Sequence, residues 1–221
     1  MTQVVKILDI QRLTHDVKKY KLEKPTGYDF TPGQATEVAI NQEQWKNEFR
    51  PFTFTSTAEE DYLAFVIKSY ADHKGVTHEM DKLSVGDELL IKDAWGAIQY
   101  KGTGVFIAGG AGVTPFIGIF RSLESRDELK GNTLLFANKT AEDVIMASYF
   151  RKALGNNFVS ILEKEQAGGH LQGMIDKDFI RTHIKDFQQE FYVCGPDAMV
   201  KDISKILEEL GANPEAITFE K

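Results

Sequence analysis

The sequence predicts a β + α/β protein. A small antiparallel β-barrel is expected over residues 1–101, followed by an α/β half with a parallel sheet over residues 102–221. Two changes of pattern carry this reading. Up to about residue 100, short runs rich in Val, Ile, Thr and aromatics are broken by turn residues. From about residue 103 on, apolar strands alternate with amphipathic helices, the pattern of a parallel sheet covered on both faces. A chain of 221 residues can hold one large domain or two modest ones.

In the first half, strands are expected at residues 4–10, 17–22, 35–40, 51–56, 63–69 and 88–92. Pro25-Thr26-Gly27, Pro32-Gly33 and Gly86-Asp87 supply breaks between them. One short helix, at 77–83, interrupts the series, and six strands suit a small barrel. The boundary falls within residues 100–104. Beyond it, strands are expected at 105–108, 133–137, 158–162 and 191–194, with a last one at 217–219. Helices are expected at 115–123, 141–154, 177–184 and 197–210. Thr114 can cap the first of these and Pro115 suits its first turn. Thr140 and Asp143 have the spacing of a capping box for the second. Gly211 stops the last.

Composition narrows the function. The chain is 42% hydrophobic and 27% charged, as globular proteins are. Its net charge of −7, with no basic stripe, argues against nucleic-acid binding. The one cysteine, Cys194, excludes an internal disulfide and a cluster held by four thiolates. The histidines lack metal spacing: His78-Glu79 has no second His at the zincin position. Residues 102–120 carry no charge, but six glycines and a proline interrupt them, so they read as a buried strand and helix start. The N-terminus lacks the apolar core of a signal peptide. A cytoplasmic monomer without membrane contact is expected.

Four stretches carry chemistry. The first in order is Arg50-Pro51-Phe52-Thr53-Phe54-Thr55-Ser56. A guanidinium can fork onto a pyrophosphate, an aromatic can stack on a flat ring, and a Thr can bond a ring nitrogen. Strict strand alternation sets Phe52 and Thr53 on opposite faces. Next, Gly75-Val76-Thr77 precedes the short helix, where backbone N–H groups can meet a phosphate. Third, the apolar strand at 105–108 enters Gly109-Gly110-Ala111-Gly112-Val113-Thr114-Pro115, a glycine-rich turn opening a helix. Its spacing departs from the Rossmann fingerprint, which ends in Gly or Ala. Fourth, an apolar strand ends in Cys194-Gly195-Pro196. Each stretch alone also suits a plain structural role: a surface Arg beside a core Phe, an ordinary helix start, a ligand-free turn, an inert core cysteine.

The order of the four decides. Arg-x-aromatic-Thr, Gly-Val-Thr, Gly-x-Gly-x-x-Pro and Cys-Gly-Pro stand as in the ferredoxin–NADP reductase superfamily. The chain resembles that family from end to end, most closely its compact bacterial flavodoxin or ferredoxin reductases. The resemblance implies FAD on the barrel and NADH or NADPH on the α/β half. It implies Arg50 and Pro51 at the FAD pyrophosphate, Phe52 on the isoalloxazine and Thr53 near the flavin N5. Ile67 and Lys68 would follow the ribityl chain, and Gly75, Val76 and Thr77 the pyrophosphate. Gly110, Gly112, Val113, Thr114 and Pro115 would receive the nicotinamide nucleotide. Cys194 would lie near the hydride-bearing carbon, with Gly195, Pro196 and Met199 beside it; Thr53 and Cys194 are the catalytic candidates. Phe219 stands where plant-type members end in an aromatic lid, here with Glu220 and Lys221 after it. The family usually has Tyr at the place of Phe52, so a hydroxyl contact is lost while stacking remains.

Asn138 and Lys139 follow a strand where a Rossmann-like fold reads the adenosine ribose. No acid stands at 138–140, and Lys139 suits a 2′-phosphate, which tilts the expectation to NADPH. The resemblance implies an FAD-dependent oxidoreductase that passes electrons from NAD(P)H to an external one-electron acceptor such as flavodoxin or ferredoxin. Two alternatives are a flavin reductase that releases reduced flavin and a nucleotide- or flavin-binding subunit of a larger redox complex.

Overall fold

Six strands form in the first half: β1 (Gln3–Arg12), β2 (Val17–Glu23), β3 (Ala35–Ile40), β4 (Arg50–Thr53), β5 (Tyr62–Lys68) and β6 (Glu88–Ile91). One short helix, α1 (Val76–Met80), lies between β5 and β6. The structure is a computed structural model that describes residues 1–70, 73–96 and 98–219. The strands pair antiparallel in the order β4-β3-β6-β1-β2-β5. A bridge between Phe54 and Phe65 brings the end of β4 back to β5, so the barrel is nearly closed. Alternation turns Val5, Ile7, Tyr20, Leu22, Val38, Ile40, Phe65 and Ile67 into one core cluster. Phe54 is its hub, 4.2 Å from the Phe30 ring and 5.2 Å from the Phe65 ring.

Two compact units organise the chain: Met1–Gln99 with Thr114–Ser122, and Tyr100–Val113 with Leu123–Lys221. Most of the helix α2 (Thr114–Ser125) therefore belongs with the barrel. Gly118 makes that possible: a Cβ there would lie 2.6 Å from the Phe54 carbonyl oxygen.

The second unit holds β7 (Gly104–Gly109), β8 (Thr133–Asn138), β9 (Phe158–Leu162), β10 (Leu171–Gln172), β11 (Glu190–Cys194) and β12 (Ile217–Phe219). All pair parallel, in the order β10-β9-β8-β7-β11-β12. Helices α3 (Ala147–Leu154), α4 (Lys177–His183) and α5 (Asp197–Glu209) accompany them. Val105, Ile107, Leu135, Phe191 and Val193 form a core with Ile180 of α4 and with Ile203 and Leu207 of α5. On the other face, Phe136 meets Phe150 of α3 edge-on at 6.2 Å. The uncharged stretch at 102–120 is thus strand, turn and helix. No helix among the described residues is long and apolar enough to cross a membrane.

Local expectations fail at five places. The strand expected at 51–56 is β4, which starts at Arg50 and ends at Thr53. The short helix spans Val76–Met80 instead of 77–83. The helix expected at 141–154 is two pieces: a 3-10 turn at Ala141–Asp143, then α3. Met146 between them is left-handed, with φ 54°, which ends any continuous helix. The capping pair forms, with the Asp143 carboxylate accepting from the Thr140 N–H and hydroxyl, but it opens only that turn. Thr114 is not a cap. Residues Gly110–Val113 already form a 3-10 turn, so Thr114 is the first residue of α2 and makes no capping bond. The two-residue edge strand β10 carries too little pattern to be seen.

The loop into β10 is tied back by His170. Arg151 Nη2 lies 3.0 Å from His170 Nε2, and a guanidinium only donates. The ring proton therefore sits on Nδ1 and donates to Ser160 Oγ at 2.8 Å. Burial, then the Arg151 charge, push the His170 pKa down, with Glu165 opposing. A histidine held neutral in this way adds stability that is fully present above its unfolded value of about 6.5 and is lost as pH falls through the lower folded value. Lowering pH from about 7.5 to about 5 should thus cost wild type more melting temperature than it costs His170→Asn. An equal or larger loss in the variant would contradict the arrangement.

Candidate functional site

Strand order reverses between β7 and β11, because β8 follows β7 on one side and β12 follows β11 on the other. In open α/β sheets the crevice at such a reversal, at the carboxyl ends of the strands, is the ligand site. The register sets Cys194 opposite Ala108, so both strand ends reach one edge. Three glycines let the two chains close up there. A Cβ on Gly109 would strike the Met199 sulfur and lie 3.2 Å from Pro196 Cδ. One on Gly112 would fall 2.5 Å from the Cys194 carbonyl carbon, and one on Gly195 lies 3.1 Å from the Gly109 nitrogen. The third and fourth sequence motifs are thereby in contact through Gly112, Cys194, Gly195, Pro196 and Met199.

Gly110 differs from its neighbours. Its φ is +52° and the space where a side chain would stand is open. Val113 is fully buried and anchors the turn. Thr114 and Pro115 lie in the first turn of α2. Cys194 is buried, at 4% exposure.

Along the same carboxyl edge, β8 ends in Asn138. Both polar atoms of its amide are buried and have no hydrogen-bond partner among the described residues. Lys139 beside it is exposed. The segment that follows is held from outside, with the Ala141 N–H donating to the Glu165 carboxylate. Phe219 pairs in register with Val193 and is partly exposed, lining a groove with Asp197, Val200 and Lys201 of α5. Glu220 and Lys221 lie outside the described residues.

In the barrel unit, β4 carries the first motif. Arg50 is exposed, and its guanidinium donates to the Phe49 carbonyl at 2.7 Å and pairs with Glu48 at 3.3 Å. Pro51 is exposed. Phe52 is half-buried against the barrel core, 6.3 Å from the Phe65 ring, while Thr53 is buried outside that cluster. The two do fall on opposite faces, and the strand ends at Thr53. Ile67 is core. Lys68 reaches Asp16 at 2.7 Å and is mostly covered, so its charge is already matched.

At α1, Gly75 is the residue before the helix, and its carbonyl takes the N–H groups of His78 and Glu79. Val76 and Thr77 occupy the first turn, where N–H groups have no intrahelical acceptor. The Val76 side chain is in the barrel core.

Sequence reasoning missed Gly109 as a contact glycine, Glu165, and the ion pair between Glu60 and Arg121. The Gly109-Gly110 doublet was a signal for the first; the other two depend on residues far apart in the chain.

Comparison with known proteins fits both units. Residues 4–100 match the oxidoreductase FAD-binding domain, and residues 106–205 match the oxidoreductase NAD-binding domain. With these two domains in this order, the chain belongs to the ferredoxin–NADP reductase superfamily of flavoprotein oxidoreductases. The reductase component of propane 2-monooxygenase from Rhodococcus jostii is 25% identical over 98% of this chain and 62% of its own length. NADH–cytochrome b5 reductase 1 of Arabidopsis thaliana is 28% identical over 95% of this chain and 80% of its own. A ferredoxin NADP+ reductase from Neisseria gonorrhoeae, solved with FAD and NADP, superposes with a TM-score of 0.86 at 21% identity, covering 99% of this chain and 98% of that one. The chain spans about three-fifths of the first of these relatives.

The glycine geometry sets an order of stabilities. Gly112→Ala meets backbone atoms that cannot rotate away and should cost about 3 kcal/mol, the top of the usual overpacking range. Gly110→Ala meets only the strain of its positive φ and should cost about 1–2 kcal/mol. Urea midpoints of the two variants in the reverse order would refute this account of the edge.

Proposed function

We propose that the protein is an FAD-dependent NAD(P)H oxidoreductase that hands electrons to an external one-electron acceptor in the cytoplasm. Residues 1–101 are assigned to FAD and residues 102–221 to the nicotinamide nucleotide. The observation that carries the reading is the glycine-lined approach of Gly112 to Cys194 at the reversal of strand order. The residues fit the two groups. Gly110 leaves open space, Val76 and Thr77 have N–H groups without helical acceptors, and the Asn138 amide is buried without a partner.

The chemistry a bound FAD supplies is uptake of a hydride from the nicotinamide and release of single electrons. The chain's role is to bind and orient. Arg50 has donors to spare beyond those used by Phe49 and Glu48, and offers them to the FAD pyrophosphate with Gly75, Val76 and Thr77. Phe52 offers a half-exposed ring for stacking, and Thr53 a hydroxyl. Gly110, Gly112, Val113, Thr114 and Pro115 take the nucleotide; Cys194, Gly195, Pro196 and Met199 wall the nicotinamide, and Asn138 and Lys139 meet the adenosine ribose. Cys194, buried at a strand end, is a positioning thiol and not a nucleophile.

The acceptor is proposed as a soluble carrier, flavodoxin or ferredoxin. The names of the relatives add cytochrome b5 and an oxygenase component to the field. A chain of net charge −7, with Lys68 already paired, gives little long-range attraction to an acidic carrier, so salt should matter weakly. The test is NAD(P)H-driven reduction of ferredoxin, flavodoxin, cytochrome b5 and free flavin at low and high ionic strength. Reduction of free flavin alone would favour a flavin reductase.

The purified protein should be yellow. Arg50→Ala should fold and be largely colourless, since a charge-assisted bond to phosphate is worth roughly 1.5–3 kcal/mol. Full FAD occupancy in that variant would show the pyrophosphate site to be misassigned. Cys194→Ser should keep FAD and slow its reduction by NAD(P)H; a covalent substrate adduct on Cys194 would overturn the positioning role.

A further inference from the structure

The segment that continues the β4 motif is fastened by one side chain of α2. Arg121 forks onto Glu60, with Nη1 3.0 Å from Oε2 and Nη2 2.7 Å from Oε1. The same Nη1 donates to the Thr55 carbonyl at 2.8 Å, two residues past Thr53. Glu60 also accepts the Thr57 N–H at 2.8 Å and the Tyr62 hydroxyl. Both charges are three-quarters covered. Burial pushes the Glu60 carboxyl up, but the bonds from Arg121, Tyr62 and Thr57 outweigh it and hold it below the ordinary range.

The place of the clamp matters because β4 is poorly held without it. It has four residues and one full ladder, to β3. Toward β5, among the described residues, it has the Phe54–Phe65 bridge, the Thr55 N–H to Ala64 carbonyl bond and the Ala64 N–H to Ser56 hydroxyl bond. Gly118 sets α2 directly on the Phe54 carbonyl. The end of β4, where Thr53 pairs with Ala35 and the Phe54 N–H reaches the Gln34 carbonyl at 3.0 Å, is thus located by α2 as well as by the sheet.

We propose that Arg121 is a positioning residue for the flavin-facing side chains of β4, acting through Glu60 and the Thr55 carbonyl. This rests on the FAD reading above. A fork of this kind fixes distance and angle, which a single lysine bond does not. A displacement of about 1 Å at reacting groups can cost up to about a hundredfold in rate.

The test uses Arg121→Lys, which keeps the charge and loses the fork, and Glu60→Gln, which keeps the shape and loses the charge. Each holoprotein should retain FAD. At saturating NAD(P)H, flavin reduction should slow about tenfold or more, with KM within about twofold of wild type. The visible circular dichroism of the bound flavin should change. A lower melting temperature with unchanged rate per bound flavin and unchanged dichroism would make the clamp purely structural and overturn the proposal. If neither variant folds, Tyr62→Phe decides: it removes one bond to Glu60, and a rate slowed about twofold with FAD retained supports the clamp, while a wild-type rate overturns it. A wild-type protein without flavin would overturn the FAD reading itself, and the inference with it.

Discussion

A parallel sheet that grows outward in both directions from its middle must send its chain segments opposite ways at adjacent strand ends. In this protein the divergence lies between β7 and β11, and the two backbones come within van der Waals contact just beyond it. The approach leaves no room for a Cβ at Gly112, which would meet the Cys194 and Gly195 backbone, and the Met199 sulfur fills the place of one at Gly109. The segments that leave these two strand ends are arranged around that constraint. The tight turn Gly110–Val113 follows from it, the buried Cys194 is pressed against it, and α5 starts from it with Met199 as filler. Of these glycines, Gly110 alone keeps open space beside it, while the places of Gly109 and Gly112 are filled by sulfur and backbone.

Much of this was legible in the chain because the signals are local. Apolar runs bounded by Gly and Pro mark β7 and β11, and period-two patterns mark most of the barrel. What could not be read depends on partners far away in sequence. Nothing between residues 141 and 154 is Gly or Pro, so the pattern runs on as one helix. The chain breaks at Met146 because Val144 and Ile145 are drawn into the core and Glu165 holds the Ala141 N–H. Thr114 has the right residue type for a cap, but Val113 before it is already helical in φ and ψ and takes the cap position, so Thr114 falls inside the helix. Lys68 was expected along the ribityl chain, and folding sets Asp16 beside its ammonium group, a partner no local pattern announces. For the site, residue order along the chain was the informative quantity. The Glu60–Arg121 pair carries no such signal, since its partners stand 61 residues apart.

The barrel and the α/β unit solve the same problem by different means. Each brings a strand end against a neighbouring segment and must satisfy or fill what that approach leaves over. The second unit does so with glycine, bringing backbone to backbone. The first uses a charged fork on a neighbouring helix to satisfy the carbonyl that β4 leaves over at Thr55. The glycine solution is intolerant of any side chain; the fork is intolerant of losing either charge, because the other would stay partly covered and unpaired.

The burial of Cys194 has a practical consequence. It is the only thiol in the chain and is 4% exposed, at the seam where the two strand ends meet. An alkylating reagent can reach its sulfur only when that seam breathes. The rate of labelling therefore reports the population in which the carboxyl edge is open, much as amide exchange does for a buried N–H. The protein carries its own single-site reporter on the motion of that strand edge, with no engineered label required.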